Sequence, residues 1–140
     1  MNKLISTKLA GNLLLVSLGL LAVFHILVLL RVLPADIVWG GAIQNSTTSL
    51  FLLEMISLSV TLLFAVVIAA KAGYIKAFRF QTTVNIGVWV IFAILRLSMA
   101  ANFASGVAFE NLIFAPIAVV LAFCAYRLAV EKQLRKLELQ

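Results

Sequence analysis

Three ionisable side chains stand inside runs of apolar residues. They are His25 in "LLAVFHILVLL", Glu54 in "SLFLLEMISLS" and Arg96 in "VWVIFAILRLSMA". A charged group among hydrocarbon is costly unless it is paired, solvated or neutralised. In segments that cross a membrane such groups face the bundle interior or a wet cavity, and they mark candidate functional sites. An acid, an imidazole and a guanidinium at one level could do several things. They could bind the polar group of a ligand, load and release a proton, or act as acid and base on one substrate atom, if both groups reach it. A Glu54–Arg96 ion pair that only holds the helices in register is the structural alternative, since breaking such a pair from one side leaves a buried charge. For His25 alone, a satisfied core histidine is the corresponding alternative.

The elements that carry these residues follow from composition. The 140-residue chain is 64% hydrophobic and only 11% charged, whereas charged residues make up about a quarter of a soluble domain. A chain this short cannot hide so much apolar surface from water, so lipid must solvate most of it. Four runs reach the ~20 apolar residues that a spanning helix needs: about 9–33, 49–70, 84–104 and 112–130. The expected fold class is all-α, an integral membrane four-helix bundle forming a single domain over 1–140. The first run follows Lys3 and Lys8, as in a signal peptide. It is much longer than the ~7–15 residues of such a segment, and "LPA" at 33–35 is a poor cleavage signal, so an uncleaved first helix is expected.

The net charge of +6 does not point to nucleic acid, because the cations stand at the ends of the apolar runs. Lys3, Lys8, Lys71, Lys76, Arg79, Arg127, Lys132, Arg135 and Lys136 fall on one side, Arg31 falls on the other, and Arg96 lies within a span. The positive-inside bias then places both termini and the second loop in the cytoplasm. The location expected is a cell membrane, with the first and third loops facing outward. One histidine and one cysteine, Cys124, allow no intramolecular disulfide and do not supply the usual ligand set of a protein-built zinc site, so no metal is expected. No cofactor is implied. No glycine-rich phosphate loop, paired metal ligands or activated nucleophile is visible, which points to binding ahead of catalysis.

Depth can be counted at ~1.5 Å per residue. From the outer helix ends, His25 and Arg96 lie about 12 Å down and Glu54 about 8 Å down, so all three could meet in the outer half of the bundle. Glu54, Ser57 and Thr61 share one helical face by their spacing of three and four, and Ser98, Asn102 and Ser105 share another. Only Asn85 stands clearly on the inner side. These positions predict an outward-opening polar pocket with a dry inner half, taking a lipid-like or small amphipathic ligand. Hydroxyls in membrane helices also bond back to the carbonyl four residues earlier, which is the plain explanation of such stripes. Over the mouth would lie "VLPADIVWGGAIQNS", with Asp36, an interfacial Trp39 and the Gly40-Gly41 turn; turn chemistry alone also explains this segment. In the fourth helix Ala115, Ala118, Ala122, Ala125 and Ala129 form a small-residue seam that lets a neighbouring backbone approach. Packing within the bundle is its first reading, and a homodimer contact is the second.

"LPADIVWGG", then "FLLEMIS" and "ENLIFAPIAVVLA", resemble a group of small bacterial four-helix membrane proteins with the pattern P-x-[DE]-x-V-W-G-G. The resemblance covers most of the chain and implies a topology in a bacterial inner membrane, without an activity. Where that group commonly carries a basic residue after the second glycine, this chain has Ala42. A second resemblance is to the sigma-2 receptor and emopamil-binding (EXPERA) families, with His25, Glu54 and Ala115-Pro116 at matching positions. It implies an intramembrane pocket for a sterol-like molecule with Glu54 as the acidic contact, or an isomerase using His25 and Glu54. A proton-coupled transporter or channel, with Glu54 as the titrating group, stands beside these readings. The topology has a direct check: a fluorescent-protein fusion at the C-terminus should glow and an alkaline phosphatase fusion there should be inactive, and the reverse pair of results would invert the orientation.

Overall fold

The computed structural model describes residues 5–34 and 47–131 of the chain. Asp36, Trp39 and the rest of the 35–46 segment lie outside the described residues, as do residues 132–140. The order is α1 (Thr7–Leu29), α2 (Thr47–Ala72), a short 3-10 turn (Phe78–Phe80), α3 (Gln81–Ala104), a π-helical turn (Glu110–Phe114) and α4 (Ala115–Val130). All four long helices are apolar and long enough to cross a membrane, the last one counted from Glu110. Sequential helices pair most closely, α1 with α2 and α3 with α4, while α1 also packs on α4 and α2 on α3. The result is an up-and-down arrangement with the expected number of long apolar helices among the described residues.

The helix ends are chemical events that hydropathy does not report. Ser6 caps α1, its Oγ accepting the Leu9 N–H at 3.2 Å, so the helix starts two residues before the apolar run. At the other end, apolarity continues to Leu33, yet the helix stops at Leu29. Arg31 turns left-handed at φ 58°, its N–H bonds the Val28 carbonyl, and the Val32 N–H reaches back to the Leu27 carbonyl at 2.9 Å. This is a Schellman termination, and Pro34 beyond it disfavours helical backbone at Leu33. Helix α2 ends in the same way on Gly73 (φ 89°), with the Tyr74 N–H on the Ala69 carbonyl at 2.9 Å.

The core runs through one end and the middle of the bundle. Ala10, Leu14 and Leu18 of α1, Ile68 of α2, Val88 and Ile91 of α3, and Leu121, Cys124, Ala125, Leu128 and Ala129 of α4 form one cluster. Helix α4 is the most buried of the four and α3 the least. All five alanines of the predicted seam are buried, so the seam is spent within the bundle, where small side chains admit the neighbouring helices. Gly87 serves α2 and α3 similarly: a Cβ there would stand 2.9 Å from a Val67 methyl. The outer surface is apolar, with Val16, Leu20, Leu62, Leu63, Leu97 and Leu112 all more than half exposed.

Pro116 stands in the first turn of α4, where its missing N–H does least harm. What precedes it is a widened turn: the Ala115 N–H bonds the Glu110 carbonyl, five residues back. Such a turn takes up the carbonyl displaced by a proline ring.

The two left-handed residues give opposite expectations. Left-handed backbone costs a residue with a Cβ about 1–2 kcal/mol. Arg31→Gly should therefore stabilise the bundle by about 1 kcal/mol and Gly73→Ala should destabilise it by about as much. Reversible denaturation in detergent measures both, and equal shifts of one sign would contradict these terminations.

Candidate functional site

The helix ends at 29, 47, 104 and 110 place the α1–α2 and α3–α4 connections at one end of the bundle, here called the loop end; the α2–α3 connection and the described chain ends lie at the terminal end. His25 is about one turn, some 6 Å by helical rise, from the loop end of α1. Glu54 is about two turns, some 10 Å by the same rise, from the start of α2. The structure brings the two together: His25 Nδ1 and Glu54 Oε2 are 2.6 Å apart, with the Glu54 side chain 1% exposed and the His25 side chain 13%.

An ionised carboxylate has only acceptor sites, so in that state Nδ1 carries the hydrogen and donates it to Glu54. The carboxylate thereby fixes both the orientation and the tautomer of the ring, as carboxylates do behind working imidazoles. Nε2 is the nitrogen left over. It has no hydrogen-bond partner among the described residues, where every fully buried side-chain nitrogen and oxygen has one. It is therefore not fully buried, in a side chain that is 13% exposed. Nε2 offers a lone pair when the ring is neutral and an N–H when the ring takes a second proton. Phe24, beside His25 on α1, sets its ring edge-on to His25 (centroids 6.1 Å apart) and to Phe114 of the π turn (5.3 Å), which in turn meets Phe109 at 5.2 Å. An aromatic wall thus links the pair to the start of α4.

No protein-family model, curated protein or solved structure matches the chain.

The other predicted residues divide. On the stripe of α2, Glu54 and Thr61 are buried and Ser57 is half-buried, so that face points inward. Ser59, on another face, bonds back to the Met55 carbonyl at 2.8 Å, the local bonding expected of hydroxyls in apolar helices. Asn102 is half-buried near the end of α3. Arg96 is exposed; its guanidinium lies 5.8 Å from the Phe92 ring centroid, and it forms no ion pair among the described residues. The expected Glu54–Arg96 neutralisation is replaced there by the His25–Glu54 contact. Asp36 and Trp39 fall outside the described residues.

Apolar run length does not report the polar contacts at the two ends of the bundle. Glu110 is buried, and its carboxylate accepts a hydrogen bond from the Ser105 hydroxyl, whose oxygen also takes the Val107 N–H at 3.1 Å. This clasp closes the α3–α4 connection. The terminal half is also less dry than expected. Tyr74 Oη donates to Asn12 Oδ1 at 2.6 Å, Lys71 Nζ donates to Asn85 Oδ1, and Arg127 bonds both the Ile5 carbonyl (3.3 Å) and Glu131 (2.8 Å). The lone Asn12 within "GNLLLVS" was the available signal. Among the described residues, no three His, Cys, Asp or Glu side chains converge.

Removing the partners one at a time should give unequal costs. His25→Leu takes one partner from a carboxylate whose side chain is 1% exposed, a loss of roughly 3–5 kcal/mol, whereas Glu54→Leu leaves one edge of a partly exposed imidazole unmet, roughly 1–3 kcal/mol. The double variant should be more stable than His25→Leu alone. Chemical denaturation of the four proteins in one detergent checks the order, and additive losses would show that the contact carries no coupling.

Proposed function

We propose that this chain is a small multi-pass protein of the cell membrane. In this reading both termini are cytoplasmic, and the His25–Glu54 pair is the polar anchor of a site for a lipid-like or small amphipathic molecule. The observation that carries it is the buried Glu54 carboxylate fixing Nδ1 of His25 while Nε2 stays accessible. Such a nitrogen takes a hydroxyl, amine or headgroup donor, or donates to an oxygen once protonated. The apolar outer surface supports insertion, and the distribution of Lys and Arg supports the orientation. The loop end then faces outward. A bacterial inner membrane is the setting that the sequence resemblance implies.

The guest is amphipathic because the pair lies one to two turns inside apolar helices, beside the Phe24–Phe114–Phe109 wall. A few placed polar groups against apolar walls orient such ligands. The short His25–Glu54 contact favours a second reading, in which the pair stores and passes a proton for a transporter or channel. Acid–base catalysis of an isomerisation would use the same Nε2, with the substrate atom within hydrogen-bond reach.

One set of proteins separates these readings. Native mass spectra of the full chain, extracted with membrane lipid, should show a bound mass in the lipid range. His25→Phe should lose it, since the ring is kept and Nε2 is not. Vesicles loaded with a pH dye should show no flux above empty controls. Proton flux that Glu54→Gln abolishes would replace binding by transport, and a bound mass unchanged by His25→Phe would remove the pair from the site.

A further inference from the structure

The exposed cation on α3 needs an occupant opposite it. Arg96 stands eight residues before the end of α3 at Ala104, about 12 Å inside by helical rise. A lipid-facing arginine at such a depth relieves its cost by stretching toward the nearer interface. Here an aromatic ring stands beside the side chain. Its guanidinium lies against the ring of Phe92, one turn back, and Phe92 is at the middle of the 81–104 helix. The ring in turn packs on Trp89 (5.8 Å) and Tyr126 (5.5 Å). The charge therefore lies on an outward face beside an aromatic cluster, with no ion-pair partner among the described residues.

That face is built for close approach. Ala93 and Ala100, three before and four after Arg96, share its side of the helix and are exposed, as is Trp89 below them. Small residues on either side of a polar one let a second backbone come near and form the hydrogen bond that hydrocarbon cannot supply. A second copy of the chain is a poor match: the acids within its described spans are engaged, Glu54 by His25 and Glu110 by Ser105. Two Arg96 faces would also repel.

We infer that the Ala93–Arg96–Ala100 face of α3 docks a transmembrane helix of another protein that carries a carboxylate at mid-membrane depth. This rests on the membrane reading and not on the His25–Glu54 site. The carboxylate satisfies the guanidinium on the side that Phe92 leaves open, and the alanines take the partner backbone.

A model partner tests it: a 24-residue leucine-rich transmembrane peptide with one central Glu, against the same peptide with Leu there. The full chain is labelled at its C-terminus and reconstituted in phosphatidylcholine vesicles. Energy transfer should show the Glu peptide binding about five- to thirtyfold more tightly than the Leu peptide, the range expected of one buried polar contact between helices. Arg96→Leu should abolish the preference, as should Ala93→Trp, which keeps the cation but blocks approach. Leu20→Trp, on an exposed face of α1, should leave it intact. Equal binding of the two peptides overturns the inference, as does a preference that survives Ala93→Trp. So does Arg96-dependent transfer between copies of the chain, or a preference erased by phosphatidylglycerol, which would make a second copy or a lipid the occupant. A chain that does not float with the vesicles overturns the membrane reading and this inference together; a floating chain without the preference overturns this inference alone.

Discussion

A carboxylate buried among apolar helices must find a partner inside the fold, and Glu54 finds His25 on the neighbouring helix. Most of the loop half follows from that contact. It fixes the register of α1 against α2, because sliding either helix by a turn would separate the atoms by about 5 Å. It also aligns the ring of His25 and, through Phe24, the wall that meets the π turn of α4. The termination at Arg31 leaves His25 one turn from the helix end.

The opposite half is organised by packing. Alanines on α4 and Gly87 on α3 bring backbones close, and a cluster of aliphatic side chains fills the space between. Where lipid solvates the outside, such contacts and interhelical hydrogen bonds carry association, since hydrocarbon gives no reward for merely burying leucine. The Tyr74–Asn12 and Lys71–Asn85 bonds fit this economy: each ties two elements at the terminal end.

How much of this was legible in the sequence depended on the physical quantity involved. The number of long helices was readable because it follows from the number of long apolar runs. The inward alanine seam was readable because its period of three and four is a property of the helix itself. The level of His25 and Glu54 was readable from depth, even with α1 ending at Leu29 and not at Leu33. Depth says nothing about azimuth, however. Arg96 was counted to the right region and still belongs to the outward side of α3, facing Phe92. The Schellman end at Arg31 was hidden because a left-handed arginine has no signature in hydropathy. The Ser105–Glu110 clasp was hidden because it depends on a turn that ordinary helical periodicity does not contain.

That turn changes which residue points inward. Counting back four residues from the buried Ala115 by α-helical spacing arrives at Asn111, but the five-residue step arrives at Glu110, which is the buried one. The π turn thus behaves as a single-residue insertion in an otherwise continuous helix. A chain of this architecture lacking one residue between 111 and 114 would run α-helically through the segment and keep its acid on the same face. Lengths differing by one at this point are therefore compatible with one bundle and one clasp.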